Sequence, residues 1–358
     1  MRRKTRFVCV SDTHGYTPSE AGFKLPRGDV LIHAGDLTNQ GSESELRKTM
    51  KWISAADFEA KIVICGNHDI TLDEPFFAKY GPKFHNVNIQ NPTKCAEIVT
   101  TASPSIIFLK HESAQIRLRS PNGPNTAFKV FGSPYSQCDG NWAFLYETGE
   151  AESLWRQIPF DADIVVTHMP PHSHCDKISG VSMGCKALRK NLKRVRPLLS
   201  VCGHIHESRG YQRVCWGEAE GNEDRATEGI LPPHGSKKQS LVDLTGKRAP
   251  RLNNDGFSIS LHTRTSEVPP STNSQITFPQ SLDAERGNEQ ATGFSDPCPN
   301  PTEAQDADAR RLRAQRHETC IVNAAILRSN WPHRDGRKFY PGPIVVDLEL
   351  PVWTGDTA

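Results

Sequence analysis

The chain has 358 residues, of which 36% are hydrophobic and 23% are charged, and its formal net charge is +2. That length allows one large domain or two small ones, and no apolar stretch approaches the roughly 20 residues that a membrane-spanning helix needs. A net charge close to zero gives no electrostatic reason to expect nucleic acid or a membrane surface as a partner.

Short apolar runs in the first 215 residues predict buried strands. They are rich in Val and Ile and mostly unalternating, which is typical of sheets covered on both faces. The runs are residues 7–10, 29–34, 61–65, 105–109, 127–132, 163–167 and 198–202. Helical spacing of apolar residues predicts helices over 43–60, 149–158 and 185–195. Strands that alternate with helices indicate an α/β layered domain.

The composition changes in the last 140 residues. Residues 217–317 are rich in Pro and Gly and poor in aromatic residues, so they lack the apolar surface that offsets chain ordering. We expect 5–216 to form the first part of a domain and 217–317 to be a largely disordered insertion. Apolar runs return within 318–351, and these are expected to be strands that complete the same domain.

Five short motifs contain almost all the residues that suggest chemistry. Each follows a predicted strand and includes Asp, His or Asn beside Gly or Pro: SDTHG (11–15), AGDLTNQG (34–41), CGNHD (65–69), THMPP (167–171) and CGHIHE (202–207). Strand ends that border loops are where α/β folds place their active sites. Five such ends in one chain make coincidence implausible.

The motifs supply seven candidate metal ligands with nitrogen or oxygen donors and no thiolate. They are Asp12, His14, Asp36, Asn67, His168, His204 and His206. This donor set favours Mn²⁺, with Fe or Zn²⁺ as alternatives, in a hydrolytic centre rather than a structural zinc site. Seven ligands exceed the needs of one ion and suit two divalent ions that share a carboxylate.

A phosphate ester is the substrate type that needs such a centre. Its oxygens repel an incoming anion, and a bound metal lowers the pKa of water from about 15.7 to about 7. The leaving alkoxide also needs a proton. His68 is the spare imidazole for this step, and Asp69 is expected to orient it or raise its pKa.

The motif series D-x-H, GD, GNH-D/E, H and GHxH resembles that of the calcineurin-like metallophosphoesterases. The phrases TRFVCVSDTHG, FGSPYSQCDGNWAF and GCKALRKNLKRVRPLLSVCGHIHE are similar to the branch of metallophosphoesterase domain-containing proteins. The resemblance covers about residues 5–215 and 318–351. It implies a four-layer α-β-β-α sandwich of two mixed β-sheets flanked by helices.

The resemblance also implies roles for individual residues. One metal would be held by Asp12, His14, Asp36 and His206, and the second by Asp36, Asn67, His168 and His204. Asp36 would bridge the two ions, and His68 takes the place of the proton-donating histidine. The implied reaction is attack on the phosphoester by a hydroxide bound at the dinuclear centre.

One departure from the superfamily narrows the expected substrate. Protein phosphatases carry GDxxDRG after the second motif, whereas this chain has GDLTNQG, with Asn39 and Gln40 in place of Asp and Arg. The missing Arg removes a fork that clamps phosphate. We therefore expect a small phosphodiester or phosphomonoester, with a cyclic nucleotide as one example, rather than a phosphoprotein.

Alternative interpretations remain at this level. The chain could be a catalytically silent scaffold that keeps the fold, or a metal-dependent nuclease, although a basic groove and stacking aromatics are not evident. For three residues, a place in the pocket lining or as ligands of an adventitious metal and a place in a solvated loop are equally expected: His172, His174 and Asp176. His33 is expected to be structural or to support a ligand, and Trp142 is expected to pack in the core, with a role in shaping the substrate mouth as the alternative.

The remaining expectations concern location and partners. A secretory signal needs a longer apolar core than the N-terminus has, so a cytoplasmic protein with reduced cysteines is expected, with the nucleus as an alternative. The basic run of 186–196 is expected to be a solvated helix face. A protein partner that binds the 217–317 insertion is a further possibility.

Overall fold

The computed structural model describes residues 1–137, 140–217, 224–233, 236–254, 295–297, 311, 315–328, 339–340 and 342–353. The strands in this part of the chain are β1 (Arg2–Val10), β2 (Val30–Ala34), β3 (Ala60–Ile64), β4 (Ile106–Phe108), β5 (Glu112–Arg117), β6 (Ala127–Ser133), β7 (Ser136–Gln137), β8 (Leu145–Tyr146), β9 (Ile164–Thr167), β10 (Lys177–Ile178), β11 (Val181–Ser182), β12 (Leu199–Cys202), β13 (Gly210–Cys215), β14 (Arg225–Glu228), β15 (Ser240–Asp243), β16 (Ser295–Pro297), β17 (Glu318–Asn323) and β18 (Ile344–Pro351). The helices are α1 (Glu43–Ala55), α2 (Glu74–Phe84), α3 (Pro92–Thr100), α4 (Ala151–Arg156) and α5 (Lys186–Val195).

Most strands join one of two mixed sheets. The first has the order β15-β18-β1-β2-β3-β4, and the second has the order β14-β13-β17-β12-β9-β6-β5-β16. In the first sheet β1, β2, β3 and β4 run parallel, and β18 pairs antiparallel with β1. In the second sheet β6, β9, β12 and β17 run parallel. Both parallel groups therefore present the carboxyl ends of their strands together.

Alternate residues of each strand separate the layers. Phe7 of β1 and Val166 of β9 belong to one buried cluster between the two sheets. Val8 faces the other way and packs with Leu46 of α1, while Val165 packs with Leu188 of α5. The predicted four-layer α-β-β-α sandwich of mixed sheets is confirmed. Among the described residues, no helix is long and apolar enough to cross a membrane.

Local signals explain where the helices begin. Ser42 caps α1 and forms a capping box with Glu45, and the helix ends at Ala55, before the predicted residue 60. Helices α2 and α3 were not predicted, although Asp73 and Asn91 cap them and Pro occupies the first turn of each. They are short, and only two residues of each are buried, so their apolar periodicity is weak.

Part of the predicted insertion is structured, which corrects the disorder expected from composition. Strand β14 pairs with β13, and β15 pairs in parallel with β18, so each extends one sheet at its edge. Val242 and Leu244 are buried in the core between the sheets. Sheet pairing and a few buried side chains outweigh the unfavourable composition of 224–233 and 236–254. Most of the remaining predicted insertion lies outside the described residues.

The two C-terminal strands lie inside the sheets rather than at their edges. Strand β17 lies between β12 and β13, and β18 lies between β1 and β15. A buried ion pair holds the segment that leads into β17, because Asp163 Oδ1 lies 2.7 Å from Arg316 Nη2 with both side chains almost fully buried. Asp163 Oδ2 also accepts a hydrogen bond from the Lys129 backbone.

Asp163→Ala should lower the free energy of unfolding by about 3–5 kcal/mol, because it leaves the buried Arg316 guanidinium without its partner. The measurement is chemical denaturation followed by circular dichroism. Glu152→Ala is the matched control, since it breaks the exposed Lys190–Glu152 pair and should change stability little. Equal effects of the two substitutions would contradict the assigned role of the buried pair.

Candidate metal centre

The seven predicted ligands lie together at the carboxyl edge of the two sheets. Asp12 and His14 follow β1, Asp36 follows β2 and Asn67 follows β3. His168 directly follows β9 in the second sheet, and His204 and His206 follow β12. All are buried except His204, which is partly exposed. The two sheets thus contribute side chains to one site.

Four of these residues adopt a left-handed backbone conformation. The φ angles are 57° at Asp12, 46° at His14, 52° at Asp36 and 65° at His204. Positive φ is uncommon for residues other than Gly and costs on the order of 1–3 kcal/mol at each position. The surrounding strands must compensate for this cost, and such strain is concentrated at functional sites.

Two glycines of the motifs make room for the carboxylates. A methyl group at Gly66 would overlap Asp36 Oδ1, and one at Gly203 would overlap Asp12 Oδ2. The backbones of the third and fifth motifs therefore approach the two carboxylates more closely than any other residue type allows. This explains in physical terms why a glycine directly precedes each of the ligands Asn67 and His204.

One group of donors surrounds Asp12 and His206. His206 Nε2 lies 3.2 Å from Asp12 Oδ1 and 3.4 Å from His14 Nε2. His14 Nε2 is also 3.6 Å from Asp36 Oδ2. Donor atoms of Asp12, His14 and His206 all lie within 4.8 Å of one another, which is suitable for a shared metal ion.

A second group surrounds His168 and Asn67. His168 Nε2 lies 3.4 Å from Asp36 Oδ2 and 3.0 Å from Asn67 Oδ1. His204 Nδ1 is 2.9 Å from the same Asn67 oxygen. The other ring nitrogen of His168 lies 2.9 Å from the Ala34 carbonyl, to which it donates a hydrogen bond, so Nε2 is the atom that faces the centre.

Asp36 connects the two groups, because its Oδ2 atom is near both His14 and His168. The donors are carboxylate, amide and imidazole atoms, and the facing ring nitrogens of His14 and His206 favour a cation between them. The residues therefore fit divalent metal ions. The geometry brings together all seven residues that the sequence nominated.

Burial controls the charge of two of the imidazoles. It lowers the pKa of His14 to about 3 and that of His204 to about 3, because the buried site disfavours the charged ring. Both rings are therefore neutral at pH 7 and have a nitrogen lone pair available for a metal.

The carboxylates of the centre are ionised despite their burial. Burial alone would raise the pKa of Asp12, but the hydrogen bond from His206 and its charge lower it to about 2. Burial likewise opposes ionisation of Asp36, and the neighbouring His168 reverses the effect and holds the pKa of Asp36 well below its ordinary value. The same attraction outweighs burial at His168 and raises its pKa to about 9. The two ionised carboxylates thus attract positive charge to their side of the centre.

His68 lies at the partly open side of the centre. Its Nδ1 atom is 2.8 Å from the Asn39 carbonyl, and its backbone N–H donates to Asp36 Oδ1 at 2.9 Å. The ring packs on Trp142 with centroids 4.0 Å apart and planes inclined by 35°. A donor atom of His68 lies within 4.8 Å of donor atoms of His14 and Asp36. His68 is therefore placed beside the predicted ligands but held by other contacts.

Residues 5–208 match the family described as calcineurin-like phosphoesterase. The chain belongs to this family. The motif-based prediction of the family is confirmed.

Two relatives show how far the likeness extends. Metallophosphoesterase domain-containing protein 1 of Homo sapiens is 36% identical over 217 residues, which cover 58% of this chain and 62% of that protein. A protein of Emericella nidulans named probable rhamnogalacturonate lyase C is 40% identical over 238 residues, which cover 64% of this chain and 20% of that protein. The chain thus spans less than two thirds of the length of both relatives.

One solved structure is also similar to part of the chain. The crystal structure of TT1561 of Thermus thermophilus aligns with 58% of this chain and 84% of that protein, with a TM-score of 0.38 and 14% sequence identity.

The contacts of Asp69 differ from those expected from the sequence. Its carboxylate accepts hydrogen bonds from the backbones of Leu37, Thr38 and Gly66 and from Thr38 Oγ1, at 2.7–3.1 Å. These contacts fix the loops after β2 and β3 relative to each other. The His68 ring instead donates a hydrogen bond from Nδ1 to the Asn39 carbonyl. Burial and the nearby Asp36 raise the pKa of Asp69 to about 7. Asp69 therefore positions the loops rather than the ring of His68.

The other sequence candidates fall into supporting positions. The Nε2 atom of the buried His33 lies 2.9 Å from Thr13 Oγ1. Thr13 stands in sequence between two predicted ligands. His174 bonds to Gln212, and Asp176 accepts from the backbones of Ser173 and Gly184, so both organise the loop after THMPP. His172 lines a cleft beside the centre.

Most of the basic run on α5 has partners within the chain. Arg189 and Lys193 form ion pairs with Asp224, and Lys190 pairs with Glu152. Arg194 donates to the Ile158 carbonyl. This pairing favours the interpretation of a structural helix face over a phosphate-binding face.

Sequence reasoning missed two groups that contact the site. The Tyr340 hydroxyl donates to the His206 carbonyl at 3.1 Å, and Asn39 Nδ2 donates to the His14 carbonyl at 2.8 Å. Tyr340 lies beyond the insertion and outside every motif, so only the fold brings it near. Asn39 stands within the second motif, where its difference from the phosphatase pattern was the available signal.

Gly203→Ala should displace Asp12 and reduce bound metal, because the added methyl group overlaps the Asp12 carboxylate and Ser11. The measurement is metal content per chain by mass spectrometry after loading with Mn²⁺ and desalting, with circular dichroism to establish folding. Gly149→Ala is the control, since no heavy atom lies within 4 Å of its added methyl group. A folded Gly203→Ala variant with undiminished metal content would contradict the proposed close packing.

Proposed function

We propose that the chain is a metal-dependent phosphoesterase that hydrolyses a small phosphodiester or phosphomonoester. The observation that carries this proposal is the convergence of seven residues with nitrogen or oxygen donors, among them the central Asp36, with His68 beside them. Membership of the calcineurin-like phosphoesterase family supports a hydrolase of ester bonds.

The ligands would divide between two ions, with Mn²⁺ favoured and Fe or Zn²⁺ as alternatives. Asp12, His14, Asp36 and His206 would hold one ion. Asp36, Asn67, His168 and His204 would hold the other. Such ions supply an acidified water and neutralise charge on the phosphoryl oxygens.

The surrounding residues keep these ligands in place. The Ala34 carbonyl fixes the ring orientation of His168, and the Asp69 carboxylate fixes the loops that carry Asp36 and Asn67. Backbone N–H of His204 donates to both oxygens of Asp12 at 3.0 and 3.1 Å. The chain thus prepares the centre before substrate binds.

His68 is the proton donor in this proposal. Its Nδ1–H donates to the Asn39 carbonyl, which directs Nε2 toward the departing oxygen, and the Trp142 ring restricts rotation of the imidazole. A protonated His68 transfers a proton from Nε2 to the leaving alkoxide, which departs as an alcohol. Gln40 stands where a phosphate-binding Arg would be, so a substrate with less negative charge is favoured.

Chelator-stripped protein should hydrolyse bis(p-nitrophenyl) phosphate or p-nitrophenyl phosphate only after Mn²⁺ is added. Asp36→Asn should lower kcat/KM by more than about 100-fold, because it removes the charge shared by both donor groups. Release of p-nitrophenolate and metal content per chain are measured together. Asp57→Asn, at an exposed position, is the control. Near-normal activity and full metal content in Asp36→Asn would exclude the shared-ligand assignment.

His68→Ala should slow reactions with poor leaving groups more than reactions with good ones, because good leaving groups depart without a proton. The measurement is kcat for a series of methyl aryl phosphodiesters whose phenol pKa increases. We expect the variant to lose about 100-fold or more at the high-pKa end and less than about tenfold with p-nitrophenol. An equal loss across the series would show that His68 does not donate the proton.

A catalytically silent scaffold is the alternative to this proposal. It requires folded, metal-loaded protein that turns over neither type of ester. Cytoplasmic location remains a prediction. A protein partner that binds the 217–317 insertion also remains one, and most of that insertion lies outside the described residues.

A further inference from the structure

A cleft of about 730 Å³ opens beside the metal centre. His204, a predicted metal ligand, lines one part of it. Ile205, Met169, Ala187 and Ile178 line other parts. This volume is in the range of ordinary small-molecule sites. A molecule bound at the centre can therefore extend from His204 into a cleft with apolar side chains in its lining.

A short hairpin forms the outer wall of this cleft. Strands β10 and β11 are joined at Ser179 and Gly180, which have φ angles of 49° and 85°, as a tight two-residue hairpin turn requires. The Ser179 backbone N–H donates to Glu207 Oε2 at 3.0 Å, and Ser208 Oγ donates to the Lys177 carbonyl at 2.7 Å. The hairpin is thereby fastened to the segment that follows His206.

The hairpin presents apolar side chains to water. Met183 lines the cleft and is 45% exposed, and Val181 on the same hairpin is 61% exposed. Large apolar side chains exposed beside a reaction centre lose contact with water when an apolar ligand covers them. Among the described residues that line the cleft there is no Phe, Tyr or Trp. The wall therefore suits an aliphatic chain better than a ring that needs a stacking partner.

Polar residues also line the cleft, among them Glu152, His172 and Lys186, and Glu152 and Lys186 are exposed. An anionic phosphoryl group would lie beside the predicted metal ligand His204, and a hydrocarbon chain would contact Met183 and Ile178.

We propose that this cleft binds an aliphatic arm of the substrate, so that the substrate is an amphiphilic phosphoester with an alkyl or acyl chain. This inference rests on the proposed phosphoesterase function. The alkyl or acyl chain of the substrate occupies the space between the hairpin and the first turn of α5. The phosphoryl group of the substrate lies at the side of the cleft that His204 lines.

The test uses p-nitrophenyl phosphodiesters whose second alcohol is methanol, butanol, hexanol or octanol, each as a monomer in solution with Mn²⁺-loaded protein. We expect kcat/KM to increase by about two- to fourfold for each added methylene until the cleft is filled. Met183→Ser should reduce the ratio of the octyl to the methyl value. Val87→Ser, which also replaces an exposed apolar side chain but lies between α2 and α3, should leave that ratio unchanged.

A binding measurement separates this inference from the proposed function. Titration calorimetry with methyl phosphate and octyl phosphate should show tighter binding of octyl phosphate to the Mn²⁺-loaded protein, and Met183→Ser should weaken that preference. Turnover of the methyl ester with no dependence of kcat/KM or of binding on chain length would overturn the inference and leave the phosphoesterase function intact. Chain-length-dependent binding without hydrolysis of the diesters or of octyl phosphate would support the cleft and refute the proposed function. Equal binding of both phosphates without hydrolysis would refute both.

Discussion

The buried carboxylate of Asp36 contacts predicted metal ligands from both sheets. One of its oxygens lies near His14 from the first sheet and His168 from the second, and the other accepts the backbone N–H of His68. Burying this charge is costly unless cations or hydrogen bonds surround it. The strained φ angles, the glycines that permit close approach and the four hydrogen bonds to Asp69 all serve to hold such an arrangement.

The sequence predicted the strands that are buried on both faces and the residues that follow them. The run DVLIHAGD shows the reason, because its five strand residues are all buried and the next turn carries Asp36. Strands β5 and β13 were not predicted, since ESAQIR and GYQRVC are largely polar and only partly covered. Composition also failed at β15, where sheet pairing orders a segment that has few apolar residues of its own.

Contacts made by backbone atoms were beyond the reach of sequence reasoning. The motif GNHD suggested that Asp69 orients His68 or raises its pKa. The Asp69 carboxylate instead accepts hydrogen bonds from loop backbones, and the Asn39 carbonyl contacts the imidazole. Every residue has a carbonyl, so nothing in the sequence distinguishes this one. The position of Tyr340 against His206 likewise depends on how distant segments pack.

The position of β18 has a consequence for how the protein is made. The seven donor residues all precede residue 207. Strand β1, however, lacks one of its two neighbours until β18 is synthesised, and β18 begins more than a hundred residues after residue 207. At a translation rate of about 5–20 residues per second, the exposed edge of β1 persists on the ribosome for on the order of ten seconds. During that time an unpaired strand can associate with other nascent chains, so the C-terminal strand protects the protein from aggregation as well as completing the sheet.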